Sequence, residues 1–172
     1  MKTLLAAALL ALVGQPAKDF AIPQLNGATL HLSDFKGKIV VLEFLLTHCP
    51  ACQATGRVLM GLQQAYGPRN LVVVGVAVDK EAANGMAKYR ALSGATFPIG
   101  IRTEDDFRGY MGYSTFDRPL FPQLLVIDRA GIIRAHHGGL GDESFLMNEE
   151  RILRSDIDKI LAEKKPVPGA KK

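Results

Sequence analysis

Cys49 and Cys52 are the only cysteines in this chain of 172 residues, and they stand three apart in Cys49-Pro50-Ala51-Cys52. Two thiols at that spacing can exchange with a disulfide, one sulfur attacking and the other resolving the mixed disulfide. Competing chemistries want residues that are missing. A structural zinc site takes four ligands, and only two thiols exist. Covalent haem attachment needs His directly after the second Cys, where Gln53 stands. Two chance thiols at a strand-to-helix junction are a poorer explanation than redox exchange.

The pair needs a strand before it and a helix after it. Ile39 to Leu46 (IVVLEFLL) is a nearly continuous apolar run, as expected of a central strand covered on both faces. Pro50 suits a first helical position, where its missing N–H would have had no partner. Cys49 then falls at the N-cap, facing unpaired N–H groups and the positive end of the helix dipole. Both favour thiolate, so Cys49 is the expected nucleophile. Cys52, one turn further in, is the expected resolving cysteine.

Around this junction, strand and helix signals alternate. Asn26-Gly27 followed by Thr29 to Leu32 reads as a short hairpin. Leu71 to Val78 and Pro122 to Asp128 are further apolar runs, and Gly131 to Ala135 continues after a turn at Arg129-Ala130. Pro50 to Tyr66 places Val58, Leu59, Leu62 and Tyr66 on one helical face. Glu81 to Leu92 is a second, weaker helix. Ser144 is expected to cap a last helix that turns Leu153, Ile157, Ile160 and Leu161 inward. Arg102 to Phe107 reads as a solvated helix start. The class is α/β, a sandwich around a mixed sheet.

Composition agrees with one globular domain: 48% hydrophobic, 22% charged, net charge +4. It excludes collagen-like, disordered and disulfide-stapled chains, and the length suffices for an ordinary core. The basic pI of about 9.1 does not point to nucleic acid. Part of the charge sits in Lys2 and in the tail from Lys164 to Lys172, with no basic stripe interleaved with aromatics. Lys2 followed by the apolar run Leu4 to Val13 matches an export signal and is too short for a membrane span. Its cleavage site is irregular, since Gln15 or Leu12 occupies the position where a small residue belongs. Residues 1–17 are therefore read as a signal peptide or a weak N-terminal anchor. Residues 18–164 form the domain, and residues 165–172 a disordered basic tail.

Two stretches carry a resemblance. DFAIPQLNGATLHLSDFKGKIVVLEFLLTHCPAC, from Asp19, and FPQLLVIDRAGIIRAHHGG, from Phe121, resemble the thioredoxin-like proteins of the extracytoplasmic TlpA/ResA type, in the redoxin (AhpC/TSA) superfamily. The likeness covers nearly everything from Lys18 to about Leu161. It implies a thioredoxin fold: a mixed central sheet flanked by helices, an N-terminal hairpin, and an extra strand-helix insertion between Leu71 and Ile101. It places Pro122 at the family's cis-proline, facing the cysteines and exposing the Phe121 backbone to a bound peptide. By sequence alone Pro122 would merely start a strand, and Pro119 competes without a strand directly after it. It also places Glu43, six residues before Cys49, at the family's buried acid. A buried unpaired carboxylate costs several kcal/mol. Such a group has a raised pKa and could exchange a proton with Cys52, unless Glu43 faces a polar edge or a lysine. His48 departs from the family, which usually has Trp there. It is read as a rim residue, as a cation that lowers the Cys49 pKa, or as a metal ligand. His48, Pro50, Ala51 and Phe121 are the expected substrate groove, with Arg118 near it.

The leading expectation is an exported thiol-disulfide oxidoreductase, in the reductase direction, acting on protein disulfides. An apocytochrome c is one candidate substrate. It would need no cofactor beyond the Cys49–Cys52 pair and no bound metal. It would draw electrons from a membrane donor, bind no nucleic acid and act as a monomer on the periplasmic or envelope side. A peroxiredoxin-like thiol peroxidase is an alternative. That group wants a Pro and a Thr ahead of its Cys, the Thr three residues before it; Thr47 is two ahead, and LEFLLTHC has no Pro. A Cu(I) chaperone is another, with Cys49, Cys52 and one of His48, His136 or His137 as soft ligands. Strand alternation puts His136 and His137 on opposite faces.

Overall fold

The structure is a computed structural model that describes residues 12–138 and 143–163. A small hairpin comes first, β1 (Ala21–Pro23) against β2 (Thr29–His31), with a 3-10 turn at Leu32–Phe35. The main sheet has five strands: β3 (Ile39–Leu45), β4 (Leu71–Ala77), β5 (Ile99–Ile101), β6 (Gln123–Ile127) and β7 (Ile133–Gly138). Their order is β5-β4-β3-β6-β7. β3 runs parallel to β4 and antiparallel to β6, so the sheet is mixed. The helices are α1 (Pro50–Tyr66), α2 (Ala82–Ser93), α3 (Glu104–Met111) and α4 (Glu143–Ala162).

β3 is central because all seven of its residues are buried, as its unbroken apolar run requires. Alternation then assigns the faces. Ile39, Val41 and Leu45 join Leu59, Leu62, Met86, Tyr89, Leu153 and Ile157, so α1, α2 and α4 cover one side. Val40, Leu42 and Phe44 join Ile22, Leu32, Phe107 and Met111, so the hairpin and α3 cover the other. Glu43 shares the face of Val41 and Leu45. Each fully buried Leu or Phe beside it stabilises the fold by ~1.5–3 kcal/mol, so two or three such neighbours offset one buried carboxyl.

Several expectations shift by a residue or more. β6 begins at Gln123 rather than Pro122, and β7 lies later than Gly131 to Ala135. Ser144 lies inside the first turn of α4 rather than ahead of it, and its carbonyl accepts from Asn148 Nδ2 at 3.1 Å. Gly14 N donates to Ile133 O at 2.7 Å and Ala17 N to Gly131 O at 2.8 Å, tying residues 14–17 to the start of β7. The rest of the expected leader, 1–11, and the tail, 165–172, lie outside the described residues.

Candidate active site

β3 delivers the chain to the cysteines through a short, pinned segment. Thr47 is buried, and its N–H and hydroxyl donate to the two Asp79 carboxylate oxygens at 2.7 and 2.8 Å. Gln53 Nε2 donates to Thr47 O at 3.1 Å from inside α1. Gly85 of α2 packs so closely on Thr47 that a Cβ there would overlap its hydroxyl. Cys49 therefore starts α1 from a fixed position. Its backbone is extended (φ −78, ψ 120), Pro50 follows at the first helical position, and the sulfur accepts from Cys52 N at 3.5 Å.

Cys49 and Cys52 are free thiols, the first half-buried and the second fully buried. Their environments push the two apart. The Cys52 thiol, donating to the Cys49 sulfur, leads in bringing Cys49 down to about 6. Partial burial opposes this, while the Cys52 and Ala51 N–H groups and the His48 ring add to it. Cys52 is driven far upward by the same contact, by burial and by Glu43. One thiolate and one held proton result, as attack and resolution require.

The Phe121–Pro122 bond is cis, and the Phe121 carbonyl oxygen lies 3.9 Å from Cys49 Sγ. Pro122 and Phe121 thus come to the cysteines. Pro50 and His48 are exposed beside them, and Ala51 is half-buried. His48 Nδ1 is 3.8 Å from Asp79. Leu120, directly before Phe121, is 55% exposed and adds an apolar side chain beside it. Arg118 turns back onto the carbonyls of Thr115 and Asp117 at 3.1 and 3.2 Å.

Glu43 faces neither a polar edge nor a lysine. It is fully buried; Tyr89 Oη donates to its Oε2 at 3.3 Å and lies 3.4 Å from Cys52 O. Burial, then the charge of Glu149, raise Glu43 well above the usual carboxyl range, and Tyr89 only partly opposes them. Tyr89, Glu149, Thr55, Asp79 and Gln123 escape a reading of the sequence as site residues. The repeat Ala82, Met86, Tyr89, Ser93 marks an inward face, but nothing local sets Glu149 apart from its charged neighbours. Gln123 Oε1 accepts from Tyr113 Oη at 3.2 Å and contacts His136 Nε2 at 2.7 Å, while its Nε2 donates to Leu120 O. His137 Nε2 contacts Asp156 at 2.6 Å on the other face. The paired histidines therefore face opposite ways, and each has a ring nitrogen engaged away from the cysteines.

Tyr89 reaches Glu43 only because residue 56 is glycine: a Cβ there would stand 2.7 Å from both Tyr89 Oη and Ser93 Cβ. Gly56→Ala should gain about 1 kcal/mol in helix propensity and lose about 1–3 kcal/mol to overpacking. The expected net result is a lower urea midpoint at unchanged slope, read by circular dichroism; a midpoint at or above wild type would show that Tyr89 has room to move.

The sequence pattern of the AhpC/TSA family matches residues 13–136. The thiol-disulfide oxidoreductase ResA of Geobacillus thermodenitrificans is 30% identical over 122 residues, 71% of this chain and 67% of that one. The thioredoxin-like protein YneN of Bacillus subtilis is 29% identical over 73% of this chain and 71% of its own length. Among solved structures, a putative thiol:disulfide interchange protein DsbE from Chlorobium tepidum superposes with a TM-score of 0.71. It is 25% identical, covering 87% of this chain and 98% of that one.

Proposed function

Because the chain belongs to the AhpC/TSA family, as a thiol-disulfide oxidoreductase of the thioredoxin-like ResA kind, we propose that it is an exported reductase of protein disulfides. The observation that carries this is the Cys49 sulfur, placed at the N-cap of α1 beside the Phe121 carbonyl, with a second thiol held protonated one turn in. The Cys49 thiolate attacks one sulfur of a substrate disulfide, and the other leaves with the electron pair. Cys52 then gives its proton to Glu43, and its thiolate attacks Cys49 Sγ. The second substrate sulfur leaves, and two electrons have passed from the cysteine pair to the substrate. No organic cofactor enters this cycle, and a membrane donor would restore the dithiol.

Direction follows from how strongly the thiolate is held. A Cys49 value of about 6 lies closer to the ~7 of thioredoxin than to the ~3.5 of the strongly oxidising DsbA, whose reduced form is stabilised by its thiolate. The exposed Leu120 beside Phe121 suits an unfolded polypeptide rather than a small thiol. Among the described residues no helix is long and apolar enough to cross a membrane. Equilibrating the full chain with defined thiol buffers should give a potential near about −250 mV or lower. A value of about −120 to −180 mV would mark an oxidase or isomerase instead.

A further inference from the structure

Exchange as described requires Cys52 to lose its proton inside the core, and one hydroxyl touches both residues of that transfer. Tyr89 of α2 is fully buried; its Oη donates to Glu43 Oε2 at 3.3 Å and lies 3.4 Å from the Cys52 carbonyl oxygen. The phenol thus bridges β3 and the first turn of α1. Two glycines let α2 come close enough for this. Gly56, one turn after Cys52, faces the hydroxyl and Ser93, and Gly85 lies against Thr47. The end of α2 is tied down as well: Ser93 Oγ donates to Tyr89 O at 2.7 Å and accepts from Ala95 N at 3.2 Å.

A phenol has one proton to donate, and here it meets two acceptors. While Glu43 is a carboxylate, its charged oxygen is the stronger acceptor and holds the hydroxyl. Once Glu43 is neutral, the Cys52 carbonyl competes for it. Burial, then Glu43 and Cys52, push the Tyr89 hydroxyl upward, so it keeps its proton and serves as a donor only. With Oε2 engaged, Oε1 is the Glu43 oxygen left to accept a proton. Oε1 is buried and has no hydrogen-bond partner among the described residues. A buried acceptor without a partner is costly, and such exceptions concentrate where chemistry needs them.

We propose that Tyr89 is a positioning residue for the resolving step, its hydroxyl holding the Glu43 carboxylate against the turn of α1 that carries Cys52 and turning to the Cys52 carbonyl once Glu43 has taken the proton. The inference rests on the exchange reading above. In the mixed disulfide, the Cys52 thiol passes its proton to Glu43 Oε1. The Cys52–Cys49 bond forms, the Cys49–substrate bond breaks, and the substrate sulfur leaves with the electron pair. Tyr89 transfers no proton; it keeps the carboxylate form ready. The other ionisable groups around Glu43 work against that form. Glu149, one residue after a break in α4 at Asn148 (φ −127, ψ 17), raises Glu43 by its charge, as does Cys49 of α1, and Cys52 faces it from the same helix. Its partners in the sheet, Gly75 of β4 and Leu124 of β6, carry no ionisable group.

The test is single-turnover reduction of a peptide disulfide by the full chain, with attack by Cys49 and release by Cys52 timed separately across pH. Tyr89→Phe keeps the ring and removes the donor. It should leave attack unchanged and slow release about tenfold below the pH midpoint of that step. The midpoint itself should rise by about one pH unit, the same tenfold read as proton affinity. The sign follows from the carboxylate, which forms only at higher pH once its donor is gone. In the Glu43→Gln background there is no carboxylate to hold, and Tyr89→Phe should not slow release further. With Tyr89 left in place, the infrared difference spectrum of wild type should carry a tyrosine C–O band that moves in step with the buried carboxyl band as pH rises, absent from Glu43→Gln. Equal slowing by Tyr89→Phe in both backgrounds would overturn the proposal, as would a carboxyl band that titrates with no tyrosine band. A wild type that forms no mixed disulfide would overturn the exchange reading along with it, whereas normal attack and an unmoved release midpoint in Tyr89→Phe would remove only the role of Tyr89.

Discussion

Cys49→Ser is expected to abolish disulfide exchange, and Cys52→Ser to accumulate a covalent complex between Cys49 and the substrate. The asymmetry comes from position. Cys49 is the half-exposed sulfur at the N-cap of α1, and a serine there is no nucleophile at neutral pH. Cys52 is buried and can reach only Cys49, so its loss spares attack but removes resolution. Turnover in Cys49→Ser should fall by at least about a thousandfold, to the uncatalysed thiol background. Cys52→Ser should show the mixed disulfide on a non-reducing gel and in the intact mass. With a value of about 6, Cys49 is about nine-tenths thiolate at pH 7, so its alkylation rate should level off just above neutrality. Cys52→Ala removes the strongest donor to that thiolate and should move the alkylation midpoint upward, while the hydroxyl of Cys52→Ser should hold it lower. Turnover retained in Cys49→Ser, or no complex in Cys52→Ser, would exclude the mechanism.

The chemistry-bearing junction was readable because local rules coincide there. An apolar run, a proline and two cysteines in register specify strand, N-cap and first helical turn at once, and the structure shows that arrangement. β3, β4 and β6 were legible for the same reason, each an apolar run of five residues or more, whereas the three residues of β5 were too few to stand out. What sequence could not supply was pairing at a distance. Thr47 and Asp79 are 32 residues apart, and Tyr89 and Glu43 are 46 apart. Nothing local joins them; the crossing of β3, β4 and α2 does. Glu149 is the hardest case. Its charged neighbours give a solvated face by periodicity, and the break at Asn148 that sends it inward leaves no mark in residue type. In the leader, an export-signal pattern is readable over the same residues, Gly14 to Ala17, that pair with the start of β7.

Glu43→Gln should make the protein more stable and a slower catalyst, with both effects depending on pH. Glu43 binds its proton more tightly when folded than when unfolded, because burial raises it. Between the ordinary carboxyl value and the raised one, the folded state holds more protons than the unfolded state. Stability therefore falls as pH rises through that window. Glu149, raised to about 7, adds a slope of the same sign up to that pH. Gln at position 43 fills the same volume between β3 and Tyr89 without a proton to lose, so its advantage should be small in mild acid and grow with pH. The expected gain above neutrality is on the order of 2 kcal/mol, the scale of an uncompensated buried polar group. Against that gain, Gln cannot accept the Cys52 proton. Release from the mixed disulfide should slow by about a hundredfold, the lower range for loss of a general base, while attack by Cys49 continues. Urea unfolding at one pH below and one above the window, paired with single-turnover release, reads both sides. Equal stability of variant and wild type at both pH values would mean that Glu43 titrates as an ordinary carboxyl. Unchanged release would mean that the Cys52 proton leaves by a route that does not involve it.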